Sequence, residues 1–445
     1  MHIFWNLSTP LPSTHSSFSM SSRLPGFYKK TPLERRYVVS EHSNLVDTSL
    51  LEAQALTLDK AEIMIENVIG TFALPIGVAV NFCINGIDRL IPMVVEEPSI
   101  VAAVSNMARL LRPFGGFSAH SDDAIMIGQI QLLDIMDTEK AKEQFAKIKY
   151  ELIETAQRIH PNLIERGGGL RDIYMRSICY DEPDQSPQEM LIIHFHLDCV
   201  DAMGANMVNT IAESLAPIIE HALSCRVGLK ILSNYATERI STASCSIPVQ
   251  ALALEDIPGE KVAEGIMDAY RFAYADPWRA ATHNKGIMNG IDAVAVATGN
   301  DWRAIEAGAH AWAARSGQYR SLTSWRFEKG TLYGTLSLPL QIGTVGGPIK
   351  THPQVGANLQ MLNNPRAQEL ASIMAAVGLA QNLGALRALA TEGIQKGHMR
   401  MHARNVAIQA GASKEELPLV VSKMSEAHNF CLDFAQQTLA DIRSA

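Results

Sequence analysis

Cysteine is scarce and scattered in this sequence. The six residues, Cys83, Cys179, Cys199, Cys225, Cys245 and Cys431, include no Cys-x-x-Cys pair and no spacing of a zinc knuckle or disulfide framework. Reduced thiols in a cytoplasm are the expected state. No Gly-x-Gly-x-x-Gly follows a strand pattern, which removes the commonest dinucleotide fingerprint. A surplus of basic charge is missing too: 38 basic against 46 acidic residues leave a formal net charge of -8, which excludes a broad footprint for nucleic acid or an anionic membrane. Any anionic ligand has to be met by local donors. The longest mostly apolar stretch is read as residues 71–86, broken by Pro75, Asn81 and Asn85 and too short for a bilayer, so no membrane span is expected. Residues 1–19 are rich in Ser, Thr and Pro, without a basic start or a sustained apolar core. They are no secretory signal and are expected to be disordered, with Met20 as good a start as Met1.

What the chain does hold is length and pattern. At 445 residues it exceeds the usual size of one core, so two or three structural units are expected. Apolar runs flanking Asn85-Gly86 predict a hairpin over residues 79–96, because that dipeptide tolerates the positive φ angles of a tight turn. Pro98 suits the first position of a helix through IVAAVSNMARLL, which leaves Glu97 at a strand-to-helix corner. From about residue 123 to 230 the order reads strand, helix, strand, strand, helix, strand. Within it Ile193, Phe195, Leu197 and Cys199 alternate with His194, His196 and Asp198, and Ile211, Leu215, Ile218, Ile219 and Leu223 follow at helical spacing. That order is the one of a split ferredoxin-like domain, not of a Rossmann unit. A long helix is expected from about 366 to 389, with Asn363-Asn364-Pro365 as cap and first turn. Gly393 and Gly397 then interrupt the periodicity, and the C-terminal segment reads as short helices on a hinge.

Several residues carry chemistry of their own. Asp201-Ala202-Met203-Gly204-Ala205-Asn206 lies where the alternating strand ends and a helix begins. The free amides and partial positive charge of a helix start can hold a pyrophosphate without basic side chains, and Gly204 lets the backbone approach closely. An Asp cap beside a packing glycine explains the same residues equally well. Lys285 is a compact cation suited to an oxyanion, although alone it is an ordinary solvated lysine. Asp301, at the start of DWRAIEAGAHAWA, either orients that cation or favours the helix dipole, and both roles are compatible. The Glu96-Glu97 pair reads by itself as a solvated corner. His398 has an imidazole's aptitude for proton transfer near neutral pH, but lone histidines more often serve packing or the surface. It stands four residues from His402, the spacing of two metal ligands, yet no HExxH and no acidic third ligand accompany them, so no metal is expected.

Preceded seven positions earlier by His194, the segment from Asp201 to Asn206 resembles the dinucleotide-binding signature of the 3-hydroxy-3-methylglutaryl-coenzyme A (HMG-CoA) reductases. Further stretches resemble motifs of that family in order along the chain: Glu66-Asn67-Val68-Ile69-Gly70, Glu96-Glu97-Pro98-Ser99, Asp276-Pro277-Trp278-Arg279, His283-Asn284-Lys285-Gly286, Gly299-Asn300-Asp301-Trp302 and Glu392-Gly393-Ile394-Gln395-Lys396-Gly397-His398. The likeness runs from Arg23 to the C-terminus and is to the class II, bacterial-type enzymes. It implies an α+β fold in which a large substrate and coenzyme A domain (20–122 and 229–391) is split around a ferredoxin-like cofactor domain (123–228), followed by a C-terminal flap (392–445). It also implies reduction of HMG-CoA to mevalonate and coenzyme A by NAD(P)H, in a homodimer with the active site at the subunit interface.

Matching the motifs residue by residue puts the family's catalytic roles on Glu97, Lys285, Asp301 and His398. Each hydride delivery leaves negative charge on the substrate's carbonyl oxygen, which Lys285, oriented by Asp301, would meet. His398 would protonate the departing thiolate. Glu97 would protonate the aldehyde step, a role that burial or neighbouring Glu96 and Asp301 favour and the following helix start opposes. Cofactor contacts fall on Asp201, Met203, Gly204, Asn206 and His160, and substrate contacts on Arg279, Ser99 and Asn289. Arg279 offers a planar fork for the glutaryl carboxylate, or else an ordinary ion pair.

Three departures from the family pattern matter. Seven residues before Gly167-Gly168-Gly169, where NADH-using relatives carry an aspartate, stands His160, with Arg158 and Arg166 nearby. Repulsion of a 2′-phosphate is thereby removed, so NADPH, or tolerance of both cofactors, is expected. The family's Gly-Gly-Ala-Thr reads Gly346-Gly347-Pro348-Ile349, which loses a backbone donor and a hydroxyl. Tyr28 replaces a basic residue, leaving Lys29 or Lys30 to meet a coenzyme A phosphate. Two alternatives stand beside the reductase: the same enzyme run toward mevalonate oxidation, which cofactor preference would distinguish, and a non-catalytic coenzyme A-binding relative, against which all four catalytic residue types argue.

Overall fold

The computed structural model describes residues 21–52, 55–391, 393 and 403–444. The expectations for residues 1–19 and for Gly397, His398 and His402 lie outside the described residues.

After α1 (Pro32–Glu41) and α2 (Leu58–Met64), the chain forms the expected hairpin, with β1 (Ile76–Ile84) antiparallel to β2 (Ile87–Val94). Its turn residues Asn85 and Gly86 have φ of 51° and 77°, the pair of positive angles that a two-residue turn matched to strand twist requires. The next helix, α3 (Ile100–Leu111), corrects one expectation: its N-cap is Ser99 at φ 75°, so Pro98 sits in the preceding turn and not at the first helical position. A reversal this sharp between strand and helix needs one left-handed residue, which for a serine costs on the order of 1 kcal/mol.

A short β3 (Ser118–Ser121) leads into the smaller unit, made of β4 (Ile125–Leu133), α4 (Thr138–Ile159), α5 (Pro161–Glu165), β5 (Gly169–Tyr180), β6 (Gln188–Asp198), α6 (Ala205–Leu223) and β7 (Arg226–Ser233). Its strands form one antiparallel sheet in the order β5-β6-β4-β7. Ile193, Phe195, Leu197 and Cys199 are buried in one apolar cluster with Leu152 of α4 and Ile211 and Leu215 of α6, so the period-2 face and the period-3.6 stripe meet. Asp198, expected on the opposite face, is buried as well, held by Arg171 at 2.7 Å. β7 stays paired with β4 as far as Ser233, beyond residue 228.

The larger unit follows with β8 (Ile240–Pro248), α7 (Gly259–Ala275), α8 (Pro277–Ala297), α9 (Trp302–Ala313), β9 (Thr323–Glu328), β10 (Thr331–Pro339), α10 (Pro348–Thr351), α11 (Pro353–Met361) and α12 (Ala367–Leu389). Its sheet has the order β3-β8-β10-β9. At the centre lies α12, whose mean hydropathy of 1.3 and 23 residues would suit a membrane span, yet 83% of that window is buried inside the protein. A helix apolar on every side is a core helix when other elements surround it. Besides residues 71–86, α12 is thus the stretch to weigh, being long and apolar enough among the described helices, and its place is internal. Its expected cap differs too. Asn363 and Asn364, at φ 66° and 49°, close α11, with the Asn364 amide donating to the Leu359 carbonyl at 2.8 Å. The first amide of α12, on Ala367, is met by Asp201 Oδ1 at 3.0 Å.

Beyond residue 403 the helices Leu417–Glu426 and Leu432–Ser444 gather a separate apolar cluster around Val406, Val420, Met424 and Leu439.

Candidate active site

Lys285 is presented by α8, and two of its neighbours fix the rotation of that helix. Asp276 caps it, accepting from the Arg279 amide at 2.8 Å, with Pro277 at its first position. His283 and Asn284 point inward: His283 Nε2 shares hydrogen bonds with Thr323 Oγ1 at 2.8 Å and Ser321 Oγ at 2.9 Å, while Asn284 donates to the Arg320 carbonyl at 2.8 Å. Burial, and then the nearby Arg279 charge, pulls His283 down to about 3, so it is neutral at physiological pH. With those two turned into the core, Lys285 faces outward and is 63% exposed. It reaches Glu97 across 188 residues of sequence, Nζ to Oε2 at 3.0 Å.

Asp301 was expected to orient this ammonium. Instead its Oδ1 caps α9 through the Ala304 amide at 3.1 Å and lies 3.8 Å from Arg303 Nε, and the ion-pair partner of Lys285 is Glu97. Of the two compatible roles expected, the helix cap is the one formed here, because a carboxylate at the first turn finds backbone donors two and three residues ahead without reaching across the site. Asn289 follows Lys285 by one turn on the same face of α8 and is half-buried. Arg279 is half-buried near the start of that helix, its guanidinium pulled down by burial and without an ion pair among the described residues. Ser99 adjoins the Glu97 corner in its left-handed conformation. Two turns beyond Lys285, Asp292 bonds to Glu306 of α9, and burial pushes its carboxyl up to about 8. Glu306 is lowered by the His310 bond it also makes. No sequence motif pointed to that pair.

A second candidate region is the 201–206 loop. Gly204, at φ 104°, is the N-cap of α6, and a Cβ there would lie 2.2 Å from Cys199 Sγ. No side chain caps the helix, so the first amides of α6 are open to a ligand. Met203 backs onto Gly343, where a Cβ would stand 2.6 Å from the Met203 nitrogen. Asp201 is engaged through Oδ1 with Ala367 and through its carbonyl with the Thr344 amide at 2.8 Å, while Asn206 is exposed in the first turn of α6. Sequence reasoning missed Arg239, which lies beneath this loop, because nothing local marks a buried arginine that donates only to carbonyls. His160 ends α4, and its carbonyl accepts from the Leu163 amide at 3.0 Å. Gly168, in the same turn, packs so close to β6 that a Cβ would stand 2.7 Å from the Asp198 carbonyl and 2.8 Å from Val200. The turn that follows α5 (Pro161–Glu165) therefore packs against the end of β6, just before the 201–206 loop. Pro348 opens α10, where a missing amide costs no helical bond.

A cleft of about 1630 Å³ lies between the N-terminal segment, β1 and α3, and reaches Val296, Ala297 and Gly299 near the end of α8. Its wall is mostly apolar, with Arg23, Arg35 and Arg109 among its cations; Tyr28 lines it, but Lys29 and Lys30 do not.

The profile of the hydroxymethylglutaryl-coenzyme A reductase family matches residues 31–403. The chain is 49% identical over 429 residues to the 3-hydroxy-3-methylglutaryl-coenzyme A reductase of Archaeoglobus fulgidus, covering 96% of each. The structure superposes on the Streptococcus pneumoniae reductase with a TM-score of 0.79 at 41% identity, over 94% of this chain and 99% of that one. A second structure, the class II enzyme of Streptococcus pneumoniae bound to NADPH in open conformations, gives 0.78 at 42% identity over 82% and 99%. By profile, sequence identity and structural match, the chain belongs to the class II hydroxymethylglutaryl-coenzyme A reductases, NAD(P)H-dependent oxidoreductases that convert HMG-CoA to mevalonate and coenzyme A.

Proposed function

We propose that the reduction takes place at the Glu97–Lys285 corner, with NADPH preferred over NADH and held at the 201–206 loop. The observation that carries this reading is the 3.0 Å contact between two motif residues 188 positions apart. The loop fits the cofactor: Gly204 leaves the space a Cβ would fill, and the first amides of α6 have no side-chain cap. His160 supports NADPH, since it offers no carboxylate to repel a 2′-phosphate; a class II relative is itself bound to NADPH. NADPH held there would supply hydride, one per molecule, so two molecules would be used per turnover, one for the thioester and one for the aldehyde that follows.

The residues of the chain do the rest. Lys285 meets the negative charge that develops on the carbonyl oxygen, and Glu97 gives a proton in the second step. His398 protonates the departing thiolate, and Asp301, already fixed as a helix cap, adds a negative charge that favours the protonated lysine. Arg279 takes the glutaryl carboxylate, with Ser99 and Asn289 as hydrogen-bonding neighbours. The coenzyme A arm fits the arginine-edged cleft better than Lys29 or Lys30.

The smaller unit serves as a ferredoxin-like cofactor domain inserted into the larger one, and residues 392–445 serve as a flap that brings His398 in. The strand order β5-β6-β4-β7 and the separate C-terminal cluster support those assignments. A homodimer completes the site, favoured by the large apolar side chains that Ile65, Ile69 and Phe72 expose beside the 66–70 motif. The place proposed for the work is the cytoplasm, where six free thiols stay reduced. Loss of absorbance at 340 nm with HMG-CoA, for each cofactor and with Lys285→Ala as control, tests the reading. Unchanged turnover in that variant would move the chemistry away from this corner.

A further inference from the structure

Arg239 stands just before β8 and is 4% exposed. Its Nη1 donates to the carbonyls of Ala202 at 3.4 Å and Met203 at 3.2 Å, and its Nη2 donates to the carbonyl of Ile342. No carboxylate pairs with it among the described residues. Asp198 is taken by Arg171 and Asp201 Oδ1 by the Ala367 amide, so both carboxylates act on Arg239 through space without touching it. Burial lowers its guanidinium to about 10, which leaves it charged at neutral pH. Removing such a charge from water costs several kcal/mol, and carbonyl dipoles offset that less well than a carboxylate would.

Two consequences follow from where the carbonyls belong. In a trans peptide the C=O and the next N–H point in opposite directions, so anchoring the Met203 carbonyl turns the Gly204 amide away from the guanidinium. The Ile342 carbonyl belongs to the larger unit, and the next residue, Gly343, donates its amide to Asn300 Oδ1 at 2.8 Å, one residue from Asp301. One side chain thus ties the loop of the smaller unit to the segment that carries the Asn300-Asp301 corner.

We propose that Arg239 is the positioning residue of the cofactor site: it orients the 201–206 backbone for an anionic pyrophosphate, sets that loop's place relative to Asp301, and holds a positive charge beneath it without a direct ion pair. This inference rests on the cofactor lying at that loop.

The test measures NADPH and coenzyme A affinity by calorimetry, with the unfolding midpoint, for wild type, Arg239→Lys, Arg239→Met and Asn206→Asp. Losing the charge-assisted fork onto the carbonyls is expected to weaken NADPH roughly tenfold in Arg239→Lys and further in Arg239→Met, with coenzyme A affinity held within about twofold. Asn206→Asp adds an acid to the exposed first turn of α6, where it favours the helix but repels a pyrophosphate; NADPH should weaken at an undiminished unfolding midpoint. If Asn206→Asp leaves NADPH affinity intact, the cofactor lies elsewhere and the reading beneath the proposal fails. If it weakens NADPH while Arg239→Lys does not, or if Arg239→Lys weakens both ligands alike or fails to fold, Arg239 is structural and the proposal alone is overturned.

Discussion

The 201–206 loop is held by Asp201 on the first amide of α12, by Thr344 on the Asp201 carbonyl, by Gly343 against Met203 and by Arg239 from beneath, whereas the Glu97–Lys285 corner rests on one ion pair whose lysine is 63% exposed. An exposed pair of this kind contributes about 0–1 kcal/mol, so α8 and not the pair sets the position of Lys285. The difference separates two ways of making a site. Amides that must meet a fixed anion are built in advance, at the cost of a left-handed glycine and a buried charge. On the proposed reading, the groups that meet a charge appearing only during reaction stand open at the surface.

The largest expected effect falls on the open corner. Lys285→Ala should lower kcat by about 10²–10³ while the unfolding free energy moves by less than about 0.5 kcal/mol, since only a surface pair is lost. A matching loss of stability would erase the contrast. On the built side the order reverses: Gly204→Ala forces a Cβ to within 2.2 Å of Cys199 Sγ at φ 104°, and should cost about 1–3 kcal/mol in denaturant unfolding along with NADPH affinity. Stability unchanged by that substitution would show the loop to be softer than its contacts indicate.

Asp292 sharpens the comparison through pH. Its carboxyl is pushed by burial from 3.8 to about 8, so the folded chain keeps a proton that the unfolded chain releases near 3.8. Because the folded value is the higher one, the stability this group contributes is complete below that pH and is lost as pH rises through about 8. Unfolding of Asp292→Asn and wild type at several pH values should therefore show the variant gaining ground as pH rises from about 4 to about 8, then a constant difference. A difference independent of pH would mean that the Asp292–Glu306 pair does not share the proton as described. The smallest effect is expected at His160. His160→Asp should move the NADPH to NADH ratio of kcat/KM a few-fold toward NADH, and an unchanged ratio would place His160 away from the ribose.

Much of this was legible residue by residue. The alternation through Ile193, Phe195 and Leu197, the stripe from Ile211 to Leu223 and the Asn85-Gly86 turn are local patterns, and local patterns set local geometry. The errors fell where two local signals competed. Pro98 looked like a helix start until Ser99 took the left-handed corner, and Asn363-Asn364 looked like a cap for α12 but ends α11. Of the residues marked for catalysis, Glu97 and Lys285 meet, Asp301 serves first as a cap, and His398 lies outside the described residues.

By itself the sequence determined the elements, the order of the smaller unit and the residue types at each motif, because periodicity, turn chemistry and side-chain chemistry act within a few positions of the chain. Only the tertiary structure decided that Lys285 pairs with Glu97, that Asp201 caps a helix 166 residues away and that Arg239 lies under the 201–206 loop. Those contacts join segments whose separation in sequence leaves no pattern, and a carbonyl or a carboxylate accepts from whatever donor packing brings to it.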